Sequence, residues 1–122
     1  MAKITRKQYD DFNKKCSNGF KLDLEWFLTW GFKRCTKELK NPDGSIYKFS
    51  IEYIEKCKRY ECIGYAPVIS VAYLQPLDSG CYSVHHLKEI ELGGLEKTRK
   101  AKLLQNFTQE YTDEKLLAFL KS

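Results

Sequence analysis

Along this 122-residue chain the spacing of apolar and polar residues changes several times, and each change marks an element. Tyr9, Phe12 and Cys16 fall at helical spacing. Thr5 with Gln8 matches a capping box ahead of them, and Asn18-Gly19 supplies a stop. An N-terminal amphipathic helix is therefore predicted. Phe20, Leu22, Leu24 and Trp26 alternate with Lys21, Asp23 and Glu25, the pattern of a half-buried strand. Phe27 to Phe32 is apolar on both parities, so its state stays open. Phe32 to Lys40 is a further strand candidate. In Asn41-Pro42-Asp43-Gly44, proline presets one φ and glycine accepts a positive one, which makes a turn. Beyond it Tyr47, Phe49, Ile51 and Tyr53 alternate with Lys48, Ser50 and Glu52, so the runs flanking the turn form a hairpin.

Tyr65 to Leu74 is rich in β-branched and aromatic residues, with Pro67 near a strand start or an edge because it has no N–H to donate. Gln75 to Gly80 reads as a turn, and Cys81 to Leu92 as a strand antiparallel to Tyr65–Leu74. After Gly93-Gly94 the composition favours helix from Leu95 to Phe107, with Leu103, Leu104 and Phe107 turned to the core. Thr112 is placed to cap a last helix whose first turn holds Asp113 and Glu114. Leu116, Leu117, Phe119 and Leu120 are expected on one side of it. The order predicts an α+β fold: an antiparallel sheet of about four to five strands, an N-terminal helix and two C-terminal helices against one face. Length predicts a single compact domain over residues 1–122.

Composition narrows the classes. Hydrophobic content of 43% is too high for a disordered chain. No apolar run is long enough to span a bilayer, and no hydrophobic region follows the charged N-terminus as in a signal peptide. A cytoplasmic protein without membrane partners is the expectation. The five cysteines (Cys16, Cys35, Cys57, Cys62 and Cys81) are odd in number and contain no Cys-x-x-Cys pair. Reduced thiols are therefore expected rather than a disulfide framework. A zinc site from Cys57, Cys62, Cys81 and a histidine is chemically open, although its ligand spacing is loose.

The net charge of +5 is uneven: residues 1–40 hold ten Lys/Arg against five Asp/Glu, and residues 41–92 hold five against seven. Residues 93–122 hold six against four, and Lys97, Arg99, Lys100 and Lys102 crowd together there with Glu96 alone opposing them. Such a segment can hold a phosphate backbone without reading bases. Lys33-Arg34 and the run Lys56 to Tyr60 are two further basic spots, and the many Tyr and Trp rings offer stacking surfaces if exposed.

His85 and His86 are the only histidines, and they lie in the last predicted strand. Adjacent residues of a regular strand point to opposite faces, a limit that a strand end relaxes. Two imidazoles near phosphate can divide the work of hydrolysis, one as metal ligand and one as general base. Glu89 and Glu91 are nearby oxygen donors.

Val84-His85-His86-Leu87, the Gly93-Gly94 break and the basic segment ending near Asn106 together resemble the HNH nuclease motif, the ββα-metal finger. The resemblance covers residues 82–106. It implies His85 as a metal ligand, His86 as the catalytic base and Asn106 as a further ligand, with magnesium or manganese as cofactor. No third histidine and no framing Cys-x-x-Cys pair accompanies the motif.

Two functions follow as expectations. One is a small basic protein of phage or mobile-element type acting on DNA or RNA, binding through Lys97, Arg99, Lys100 and Lys102, with an HNH-like centre. The other is a non-enzymatic interaction protein that blocks a host nuclease or defence factor, or sequesters an anionic nucleotide. Abundant Tyr and Trp suit either reading.

Overall fold

The computed structural model describes residues 6–23, 27–29 and 31–122. Thr5, Leu24, Trp26 and Trp30, and the expectations placed on them, lie outside the described residues. Helix α1 (Arg6–Lys15) opens the described chain. Five strands follow: β1 (Lys21–Leu22), β2 (Arg34–Lys40), β3 (Ile46–Lys58), β4 (Glu61–Pro76) and β5 (Tyr82–Glu91). Helices α2 (Ala101–Glu110) and α3 (Asp113–Lys121) close it. The strands form one antiparallel sheet in sequence order, β1-β2-β3-β4-β5, so the expected α+β architecture is present. Among the described residues no helix is long and apolar enough to cross a membrane.

The alternation seen in the sequence sorts the two faces. Phe49, Ile51 and Tyr53 of β3 lie opposite Val71, Ile69 and Pro67 of β4. With Cys35 they form the buried face, onto which Phe12, Leu104, Leu116 and Phe119 pack from the helices. Burying a large apolar side chain contributes about 1.5–3 kcal/mol, so this shared face supplies most of the driving force. Leu103 and Phe107 pack against the cluster as expected. Leu117 does not: it is 45% exposed, because on a helix one residue past buried Leu116 points away from it.

Local chemistry explains the ends. Asp43 accepts from the Ser45 N–H at 2.9 Å and Asn41 N–H donates to the Ser45 carbonyl at 2.8 Å, which closes the β2–β3 turn. Gly44 supplies its positive φ of 91°. The Thr112 hydroxyl accepts from the Lys115 N–H at 3.3 Å, capping α3 as the sequence predicts. Helix α2 departs from expectation. It starts at Ala101, six residues later than Leu95, with Lys100 as an N-cap residue in extended geometry.

The β3–β4 hairpin outruns its neighbours. β2 pairs with β3 only as far as Arg34↔Glu52, and β5 with β4 only as far as Val68↔Glu91. Six further β3–β4 pairs, Tyr53↔Pro67 to Lys58↔Glu61, continue as a two-stranded ribbon. At about 3.3 Å per residue it extends roughly 20 Å. Its turn is Arg59-Tyr60, with φ of 50° and 68°. Positive φ at both central residues defines the primed turn that suits strand twist, normally filled by Asn and Gly.

Candidate functional site

The two histidines sit mid-strand on β5, where His85 pairs with Tyr73 and His86 with Ala72. They therefore project from opposite faces. His85 is on the helix side, its ring 6.3 Å from that of Tyr73 and its Nε2 3.0 Å from the Ser83 hydroxyl. His86 is on the far face. Asn106 is exposed on α2 and lines a groove with Lys15, Lys102, Gln105 and Gln109. The three residues implied by the HNH resemblance thus stand on the two faces of β5 and on α2. Among the described residues no group of three or more His, Cys, Asp or Glu is placed to hold a metal ion.

On the far face His86 borders a cavity of about 460 Å³. Its floor is made of small residues, because Ser50 lies opposite Ser70 and Lys48 opposite Ala72 at the centre of the sheet. Longer side chains rise around it: Arg34, Lys48 and Glu52 from β2 and β3, His86 and Glu89 from β5. Arg34 donates to the Ser50 hydroxyl at 3.0 Å, and Lys48 lies 3.7 Å from Asp23. The Lys33-Arg34 spot thus contributes its arginine to a concave surface shared with a histidine. Sequence reasoning did not join them, since fifty-two positions separate Arg34 from His86 while three strand pairings bring them together.

The basic segment adopts an irregular path with a bend at Lys97-Thr98, not the helix its composition suggests. Glu96 N–H donates to the Tyr65 carbonyl at 2.7 Å, and Tyr65 N–H donates to the Glu96 carbonyl at 2.6 Å. Leu95 packs over Gly64, where the absent side chain leaves it room. The Tyr53 hydroxyl donates to the Lys100 carbonyl and accepts from the Lys100 N–H, each at 3.2 Å. These contacts fix the segment along the ribbon and set where α2 can begin. Burial pushes the Tyr53 phenol above its ordinary pKa of 10.0.

Lys97, Arg99 and Lys100 consequently lie beside the β3–β4 ribbon. The Arg99 guanidinium stands 5.3 Å over the Tyr65 ring, a cation–π contact. Lys100 pairs with Glu96 at 3.3 Å, and Lys56 with Glu91 at 2.8 Å. The bond to Glu91, and then its charge, raises the Lys56 pKa. Lys58, Arg59 and Lys97 are exposed and form no ion pair among the described residues. Tyr60 at the tip is fully exposed. Lys102 separates from this group and faces the α1–α2 groove with Lys15. The turn that presents Arg59 and Tyr60 carries no glycine or asparagine, so only its basic character was visible in the sequence.

Comparison of the chain with family models, curated proteins and solved structures finds no match.

Proposed function

We propose that this protein binds nucleic acid through the end of the sheet formed by the β3–β4 ribbon and the segment from Gly93 to Lys100. The observation that carries the reading is the paired Tyr65–Glu96 hydrogen bonding, which lays the segment of Lys97 and Arg99 along the ribbon that ends in Lys58, Arg59 and Tyr60. Two basic spots nearly forty residues apart in sequence become one surface. Lysine and arginine there neutralise phosphates and release counterions, giving affinity without base readout. The Tyr60 ring is free to stack on an unpaired base, a contact worth about 1–3 kcal/mol. The reading concerns binding rather than cleavage, because His85, His86 and Asn106 stand apart.

Anisotropy with labelled single-stranded DNA, duplex DNA and RNA tests it. The triple variant Lys58→Glu, Arg59→Glu, Lys97→Glu should lose at least tenfold in affinity, and the slope of log affinity on log salt should fall by about 2–3. Lys102→Glu should change little. Equal affinity of the triple variant and wild type would sink the reading. A parallel incubation with magnesium or manganese, comparing wild type with His86→Ala, tests the nuclease alternative. Cutting lost in the variant would make His86 catalytic.

A second reading, capture of a small anionic nucleotide, is supported by the far-face cavity. Its volume suits a ligand of that size, and Arg34, Lys48 and His86 are its cationic or proton-donating groups. Saturable thermal stabilisation by a nucleoside monophosphate, abolished in Arg34→Ala, is expected on this reading. A panel of nucleotides that leaves Tm unmoved would remove it.

A further inference from the structure

At the ribbon tip Cys57 lies directly opposite Cys62, and both thiols are exposed. The two-residue Arg59-Tyr60 turn makes Lys58 and Glu61 the hydrogen-bonded closing pair. The next pair along an antiparallel ladder is non-hydrogen-bonded, with Cα atoms about 4.5 Å apart and side chains on one face. A disulfide needs Cα atoms roughly 4.4–6.8 Å apart. At that generic spacing an opposed cysteine pair falls within the range a disulfide needs. The bulge between Cys57 and Lys56, where Ile63 is the extra residue before Gly64, lies behind the pair and leaves its register intact.

The other cysteines are placed differently. Cys35 is buried, and its thiol, hydrogen-bonded to the free thiol of Cys16, is pushed well above its ordinary pKa by this hydrogen bond and by burial. Cys81 lies in the β4–β5 connection and faces no cysteine across the sheet. Cys57 and Cys62 therefore form the pair that is both opposed and open to reagents.

We propose that Cys57 and Cys62 are a reversible dithiol–disulfide site whose oxidant is a small disulfide such as oxidised glutathione. One thiolate attacks the glutathione disulfide, forms a protein–glutathione mixed disulfide and releases one glutathione. The second thiolate attacks the protein sulfur of that mixed disulfide, closes the bridge and releases the second glutathione. The protein loses two electrons and two protons, and one glutathione disulfide becomes two thiols. Closure pins the turn that holds Arg59 and Tyr60 at positive φ. The site stands whether or not the ribbon binds nucleic acid.

The test uses the reduced, folded chain equilibrated with oxidised glutathione, then trapped by alkylation and mapped after trypsin. Cleavage after Lys56, Lys58 and Arg59 puts Cys57 and Cys62 on separate peptides, so a bridge appears as a linked pair. Because Cys81 shares the Cys62 peptide, the Cys81→Ser variant is mapped alongside wild type. The expected result is a Cys57–Cys62 linked peptide in both, reversed by reduced glutathione and lost in Cys62→Ser. Separate glutathione adducts on Cys57 and Cys62, free thiols at both, or linkage that vanishes in Cys81→Ser would each overturn the proposal.

Discussion

Replacing Gly64 with alanine tests the contact on which the candidate interface rests. The new methyl would lie 2.7 Å from the Glu96 carbonyl oxygen and 2.8 Å from Leu95 Cγ, both far inside van der Waals contact. The leucine can rotate, but the carbonyl cannot leave without breaking its 2.6 Å bond from Tyr65 N–H. Gly64 also has φ of 148°, a region that side chains rarely enter. Backbone strain of this kind costs about 1–3 kcal/mol. Overpacking a site that cannot yield adds about 1–3 kcal/mol. The sum is roughly 2–6 kcal/mol, a large share of the stability of an ordinary domain. Gly80→Ala is the control, because Gly80 also has positive φ, 87°, yet an added Cβ meets nothing within 4 Å. It should cost only about 1–2 kcal/mol. Urea unfolding followed by circular dichroism reads both. If Gly64→Ala costs no more than Gly80→Ala, the Leu95–Glu96 segment is not packed on the ribbon, and the argument for a shared basic surface fails with it.

Tyr53→Phe removes both hydrogen bonds to the Lys100 backbone at the start of α2 and should destabilise by about 1–2 kcal/mol. It should also alter the alkaline limb of the stability profile. The phenol's folded pKa is raised above 10.0, so the unfolded chain releases this proton first. Its contribution is complete below pH 10.0 and is lost as pH rises toward the folded value. Wild type should lose stability more steeply than Tyr53→Phe over that window, and parallel profiles in urea titrations would count against the assignment. Thr112→Ala deletes the α3 cap and should cost about 1 kcal/mol, read as a lower midpoint at unchanged urea slope. Lys88→Met removes an amine that donates to the Phe119 carbonyl at 2.8 Å and to the Ser122 hydroxyl at 3.0 Å. Its loss should fray the end of α3, visible as faster amide exchange in Leu116 to Lys121, whereas unchanged exchange would show the amine to be dispensable.

The elements legible in the sequence were those whose signals are local. The β2–β3 turn carries its own proline, aspartate and glycine, and the alternation of Tyr47 to Tyr53 already assigns Phe49, Ile51 and Tyr53 to the buried face. Thr112 caps a helix that begins at the next residue. The errors arose where long-range contacts overrule local preference. Leu95 to Lys100 contains good helix formers, but Tyr65 captures the Glu96 backbone and Tyr53 holds that of Lys100, so helix begins only at Ala101. The ribbon turn was hidden for the converse reason. Arg59 and Tyr60 have no preference for positive φ, at a cost of about 1–2 kcal/mol each, and adopt it because the strands on either side fix the reversal.

The same distinction governs the candidate site. Charge density along the sequence identified Lys97, Arg99 and Lys100 without their partners, because what unites them with Lys58, Arg59 and Tyr60 is a hydrogen-bonded pair spanning thirty-one residues, Tyr65 to Glu96. It grouped Lys102 with them by proximity in sequence, yet the first turn of α2 directs that side chain toward α1 and Lys15. The histidine pair behaves likewise. Adjacency suggested a shared task, but strand parity sends His85 toward Tyr73 and His86 toward Ala72. The bulge at Leu87 follows both residues, so it leaves them on opposite sides while reversing the parity of Lys88 to Glu91. It is this reversal that turns Lys88 toward α3 and Glu89 into the far-face cavity beside His86. Deleting Leu87 would remove the bulge yet keep the Lys88↔Val71 and Glu89↔Ser70 pairs, so Lys88 would still face α3 and Glu89 would still line the cavity. If the cavity is a ligand site, ligand binding should survive that deletion and be lost in Arg34→Ala, while the ribbon at the other end of the sheet keeps its affinity for nucleic acid in both.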